Sequence, residues 1–472
     1  MQYSDSFGSV EIEDDKFWGI NTQRSLDNFR IGTSKMPIEV IHSISYIKRI
    51  VAKAALESNV RSARDSADVV LGAIVKVAAE VENGEHDQHF PLVVFQTGSG
   101  TQTNMNVNEV IANLANRYIS IQEPELFGSS NFCPIDSHDD VNFAQSSNCV
   151  FPSAMHISAK KQLEELVIPS LNKLIDALNN LAYSKESEAI KIGRTHMQDA
   201  VPMRFRDEVL SWVEMIVVAK NRLIAILPEL SKLALFGTAV GTGLNVPKMG
   251  TFVDKAQEHL EEDGFTLDAN KFFQISSKST LVAYSSVLKE LAVSLTKIGN
   301  DIRVYVSGPR AGLSELSIPA NEAGSSIMPG KVNPTQIEAL TQVCSQVIGN
   351  DATITFAASN GHFQLNTFMP VIIYNILQSG RLLGDSVNSF VDNLLSGMHL
   401  NTAKMRENVM NSLMLITALT PRIGYDNATK ISRHAFENDL TLQEAFTALQ
   451  GDLGLDLTVE EFREAIDPEH FV

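Results

Sequence analysis

Five stretches of the chain, at about 157–184, 206–235, 279–306, 333–357 and 368–397, repeat apolar residues every three or four positions and contain few interior prolines. In the first of them Leu163, Leu166, Val167, Leu171, Leu174, Ile175 and Leu178 fall on one side of a helical wheel. Strand-like alternation is scarce, so the fold class is all-α. Helices of about 25 to 30 residues run roughly 40 Å at about 1.5 Å per residue, longer than a compact single domain requires. Side by side they form a bundle, and their apolar faces exceed what one chain can cover, which points to a homo-oligomer.

Composition narrows the function classes. With 472 residues, 44% of them apolar and 20% charged, the chain has enough apolar material for two or three domains and a large core. A net charge of −18, with no concentrated basic run, disfavours nucleic acid or an anionic membrane as partners, since binding either needs a concentrated basic face. No apolar run approaches the roughly 20 residues that span a bilayer. Cys133, Cys149 and Cys344 are too few for a disulfide framework and lack metal-ligand spacing, which fits a reducing cytoplasm. The acidic residues Glu11, Glu13, Asp14 and Asp15 leave no secretory or transit signal visible near the amino terminus. No metal site and no nucleotide-binding fingerprint is apparent, so no cofactor is expected.

Between the helical stretches lie polar, glycine-rich blocks, where binding groups carried on a rigid scaffold usually sit. The most informative runs from residue 324 to 338: Gly-Ser-Ser-Ile-Met-Pro-Gly-Lys-Val-Asn-Pro-Thr-Gln-Ile-Glu. Gly324 and Gly330 permit backbone conformations closed to other residues. Ser325 and Ser326 offer hydroxyls, Lys331 a cation and Asn333 an amide, a set suited to gripping a small dianion. Removing a carbon-bound proton beside a carboxylate builds charge on that carboxylate's oxygens, so such donors would stabilise the transition state of an elimination. A serine can act as the base only where backbone amides or helix ends stabilise its alkoxide.

This segment closely resembles the signature loop of the fumarase and aspartase superfamily. Further blocks match the family in its order: Trp18 to Phe29, Gln96 to Glu109, Gln145-Ser146-Ser147-Asn148, Gly193 to Ala200, and Gly237 to Asn245. The resemblance covers nearly the whole chain. It implies three domains, 1–140, a central long-helix bundle at 141–400 and a small carboxy-terminal domain at 401–472, assembled into a tetramer with a multi-helix core. It also implies a metal-independent lyase whose sites draw on three subunits.

By resemblance, Ser325 abstracts the proton, while His196, whose imidazole exchanges protons near neutrality, handles the leaving hydroxide or attacking water. Glu338 occupies the position of the carboxylate that pairs with this histidine. Ser99, Gly100, Thr101, Ser146, Ser147, Asn148, Thr195, Ser326, Lys331 and Asn333 would hold the dicarboxylate. Thr195-His196, Ser146-Ser147-Asn148 and the Pro329-Gly330-Lys331 and Pro334-Thr335-Gln336 segments lean toward class II fumarases, making fumarate and L-malate the expected substrates. Aspartate ammonia-lyase, a related fumarate-releasing lyase and a weakly active binding paralogue are the alternatives. Departures stand close to the chemistry. Asp136, Ser137, His138 and Asp139 replace the His-Pro-Asn-Asp of a secondary dicarboxylate site. Cys149 replaces an aspartate, Phe236 a glycine, and Arg204-Phe205-Arg206-Asp207 a Thr-Leu-Gly-Gln.

Overall fold

The computed structural model describes residues 2–5, 8–61, 66–248 and 250–472. Helices dominate, and the strands among the described residues form only two-stranded sheets. The long periodic stretches become Phe205–Leu230, Ser279–Tyr305, Thr335–Ser359 and Met369–Asn393, close to the limits that periodicity sets. The remaining stretch starts earlier than its apolar repeat. Helix Ser147–Gln162 leads through a π turn at Leu163–Val167 into Ile168–Ala182. Its first turn is polar, and Ser146 caps it by accepting from the Asn148 amide at 3.2 Å, so no hydrophobic period marks the start.

Chain contacts divide the protein into two compact units. The first comprises 1–169, 220–290 and 345–383, and the second 170–219, 291–344 and 384–472. In the first, helices Ile38–Glu57, Ala67–Glu82 and Thr101–Gln122 pack together around Ile44, Ile47, Ile74, Val77, Val107 and Val110, all at most 1% exposed. Removing each such aliphatic side chain from water contributes about 1.5–3 kcal/mol. Glu109 fixes the chain entering helix Ile20–Asn28. Its carboxylate accepts from the amides of Gly19, Asn21 and Thr22 and from the Asn21 and Thr22 side chains, at 2.6 to 3.2 Å. An anion at a helix start satisfies amides that have no partner within the helix.

In the second unit, strands Ile190–Thr195 and Gln198–Arg204 form an antiparallel hairpin with a bulge between Ile192 and Arg194. Ile192 packs into a core shared with the carboxy-terminal helices, where Phe446 and Phe462 stack at 4.2 Å. Among the described residues no helix is long and apolar enough to cross a membrane, and no group of three or more His, Cys, Asp or Glu is placed to hold a metal ion.

Candidate active site

The residues expected to carry the chemistry fall into two sets, one in each unit. In the first unit, Gly98 and Gly100 allow the backbone to turn into helix Thr101–Gln122. A Cβ on Gly98 would lie 1.5 Å from the Thr367 carbonyl oxygen, and one on Gly100, at φ 70°, would lie 2.2 Å from the Phe151 ring. No side chain fits either place. The turn brings Ser99 Oγ to 2.8 Å from Thr101 Oγ1, which in turn sits 2.9 Å from Ser147 Oγ. Thr101 and Ser147 are the first residues of their helices, so a row of three hydroxyls joins two helix amino termini. Aligned peptide dipoles and unpaired amides make such a junction attractive to an anion. Asn148 spends part of its amide on the Ala239 carbonyl at 2.9 Å, tying the Gly237 to Asn245 block to this junction.

In the second unit, His196 and Met197 form the two-residue turn of the hairpin, with φ of 56° and 63°. Both therefore occupy the left-handed region, which is uncommon for residues other than glycine and costs backbone strain, more so for Met197 than for His196. Such strain persists where surrounding structure imposes it. Just before the turn, Arg194 grips Glu315 through two hydrogen bonds of 2.6 and 2.9 Å, and Asn408 donates to the same carboxylate at 2.8 Å. Glu315 is fully buried. Thr195 and His196 themselves are exposed.

The signature loop closes on itself. A Cβ on Gly324 would fall 2.2 Å from the Lys331 carbonyl oxygen, which accepts from the Gly324 amide at 3.2 Å. Asn333 donates to the Gly324 carbonyl at 2.6 Å, so one of its amide protons holds the loop shut. Inside this loop Ser325 Oγ accepts from the backbone amides of Ile327 at 3.2 Å and Met328 at 3.0 Å. Two donors aimed at one hydroxyl oxygen favour its deprotonated form. Ser326 and Lys331 are exposed, free to face a ligand. Glu338 lies in the first turn of helix Thr335–Ser359, exposed, and among the described residues no hydrogen bond joins it to His196.

Comparison with known proteins places the chain in a family. A family model described as "Lyase" matches residues 8–349, and one described as "Fumarase C C-terminus" matches 415–472. Fumarate hydratase class II of Rickettsia bellii is 48% identical over 472 residues, covering 99% of this chain and 98% of the relative. The Bacillus subtilis protein of that description is 46% identical over 469 residues, with coverage of 99% and 98%. The chain belongs to the class II fumarate hydratases. A crystal structure of class II fumarase from Schistosoma mansoni superposes on this fumarate hydratase with a TM-score of 0.91 at 39% identity, covering 99% of this chain and 98% of that one. It is thus a lyase of the fumarase and aspartase superfamily.

The departures from the family pattern acquire geometry. Phe236 adopts φ 63°, which explains why glycine is common at that position, and its buried ring meets Phe252 edge-on at 5.3 Å. Cys149 is buried, its thiol donates to the Ser146 carbonyl at 3.2 Å, and burial pushes its pKa up, keeping it neutral. Arg204 and Arg206 both engage Glu188, while Phe205 between them is buried against Trp212. In the altered secondary segment, Asp136 accepts from the amides of His138 at 2.7 Å and Asp139 at 2.8 Å. That turn caps itself, and its exposed Asp136 and Asp139 would repel a dicarboxylate.

Sequence reasoning missed a buried polar cluster behind the hydroxyl row. Lys48, wholly buried, donates to Asn142 Oδ1 at 2.9 Å and Gln145 Oε1 at 3.0 Å. Asn104 and Asn108, both buried and both donating to Asn142 Oδ1, were its visible trace. Asparagine at helical spacing on a buried face needs partners.

Proposed function

We propose that this fumarate hydratase interconverts fumarate and L-malate with Ser325 as the carbon base and His196 as the group that handles water. In the dehydration direction, Ser325 Oγ as alkoxide takes a proton from the carbon beside one substrate carboxylate, and that carboxylate accumulates the charge of the broken C–H bond. The C–O bond of the neighbouring carbon then breaks, its electron pair leaving with hydroxide, which takes a proton from His196 and departs as water. Hydration runs these steps in reverse. The observation that carries this reading is the pair of backbone amides, from Ile327 and Met328, donating to Ser325 Oγ. They offer an alkoxide the stabilisation that a free serine lacks.

Ser99, Thr101, Ser146, Ser147, Asn148, Thr195, Ser326, Lys331 and Asn333 supply donors for the two carboxylates, with Gly100 shaping the loop. Glu338 pairs with His196 once the site is assembled. Assembly is a homotetramer in which each site draws on more than one subunit, a reading supported by exposed Ile348 and Phe356 on helix Thr335–Ser359. The three-part division at 140 and 400 is retained as the domain plan, and the sparse cysteines favour a cytoplasmic setting. Every step above uses groups of the chain itself, so activity should survive chelation.

Assaying the purified protein with fumarate, L-malate, L-aspartate and argininosuccinate, following fumarate absorbance, tests the assignment. Reversible turnover of fumarate and L-malate alone is expected. Fumarate release from L-aspartate but none from L-malate would overturn it.

A further inference from the structure

Behind the hydroxyl row, segment 141–145 folds around two side-chain amides. Asn142 Nδ2 donates to the Gln145 carbonyl at 3.2 Å, and Gln145 Nε2 donates to the Val141 and Phe143 carbonyls at 3.2 Å. With their nitrogens so used, both side chains turn their oxygens toward one point, Lys48 Nζ. Asn142 Oδ1 also accepts from Asn104 and Asn108, each at 3.2 Å, on helix Thr101–Gln122. The cluster therefore links the helix that begins at Thr101 to the segment that leads directly into Ser146 and Ser147.

We propose that Lys48 is a positioning residue for substrate binding: its ammonium fixes Thr101 and Ser147 relative to each other, and its counter-charge is the carboxylate of the bound substrate rather than a carboxylate of the protein. This rests on the dicarboxylate reading of the hydroxyl row. Charged groups on the packed elements are committed elsewhere. Glu109 serves the 19–22 turn, Glu82 pairs with Arg49, His259 with Glu57, and Asp140 with Arg61. Cys149, the titratable group that acts on Lys48, is a neutral thiol. Among the described residues no anion pairs with this buried cation, and burial lowers the Lys48 pKa to about 7. A carboxylate arriving at the hydroxyl row raises its proton affinity again. Binding and protonation are thereby linked, and each strengthens the other.

The test measures succinate, an unreactive dicarboxylate, by calorimetry at pH 8 in buffers of different ionisation enthalpy, together with KM for L-malate from pH 6 to 9. In the unaltered protein, succinate should take up a proton on binding, and KM should rise above neutrality as Lys48 loses its charge. Lys48→Met should raise KM about tenfold or more, the scale of one lost charged hydrogen bond, and abolish both the uptake and the KM rise. Cys149→Asp supplies a protein carboxylate beside Lys48, so it should remove the uptake and carry the KM rise to higher pH. It also serves if Lys48→Met does not fold. Cys149→Asp with unaltered uptake and KM profile, or a folded Lys48→Met that keeps the pH dependence, would overturn the proposal. Absent L-malate turnover with Lys48-dependent uptake intact would instead count against the fumarase chemistry alone.

Discussion

Replacing Arg194 with methionine removes the guanidinium from a carboxylate that has no access to solvent. Glu315 is 0% exposed at its side chain, and Arg194 supplies two bonds of 2.6 and 2.9 Å, leaving among the described residues the Asn408 amide. Breaking a buried pair from one side costs about 3–5 kcal/mol, because the remaining charge is stranded. Arg194 lies immediately before Thr195 and the strained His196–Met197 turn, so the loss should appear first as local opening of the hairpin. Amide exchange in residues 190–204 should speed up by about a hundredfold or more, at roughly 1.4 kcal/mol per factor of ten. Turnover should fall along with it, because His196 no longer holds its place. Adding Glu315→Leu removes the stranded charge and should restore most of the exchange protection but not the turnover. Exchange rates in Arg194→Met within threefold of the unaltered protein would show that the pair does not hold the hairpin.

Acid should weaken the protein through His156, whose pKa is lowered to about 4 chiefly by burial, with the nearby Lys278 charge adding to it. Between that value and the 6.5 of an unfolded histidine, the unfolded chain binds more protons, so stability falls as pH falls through this window, by roughly 3 kcal/mol at most. His156→Gln should show a flatter unfolding profile from pH 6.5 to 4 than the unaltered protein; equal slopes would assign the acid sensitivity elsewhere. Subunit sharing predicts complementation: inactive Ser325→Ala chains, reassembled with chains carrying both Thr101→Ala and Ser147→Ala, should regain activity. No recovery from verified mixed tetramers, or a fully active monomer in sedimentation, would contradict the shared site.

Helix extents were legible because the 3.6-residue period is set by backbone geometry and needs no knowledge of neighbours. Helix Ser147–Gln162 was legible only in part, since its start is fixed by the Ser146 cap and a polar first turn. The residue types of the 324–338 loop suit a dianion, but the two amides aimed at Ser325 Oγ depend on a loop path that composition does not specify. His196 and Met197 gave no turn signal, because positive φ there is imposed by the hairpin rather than preferred by the residues. Lys48 was invisible for the opposite reason. A lysine among apolar residues reads as a solvated helix position, and only the fold brings Asn142 and Gln145 to its ammonium.

The role of Ser325 as carbon base is isolated by a single substitution. Ser325→Ala removes the oxygen that Ile327 and Met328 face while leaving the Gly324 and Asn333 bonds that close the loop. Steady-state turnover of L-malate should fall by about a hundredfold or more, the scale of a positioned acid–base group, while succinate still binds with nearly unaltered affinity. Near-normal turnover in this variant would contradict the account and place the carbon base on another residue.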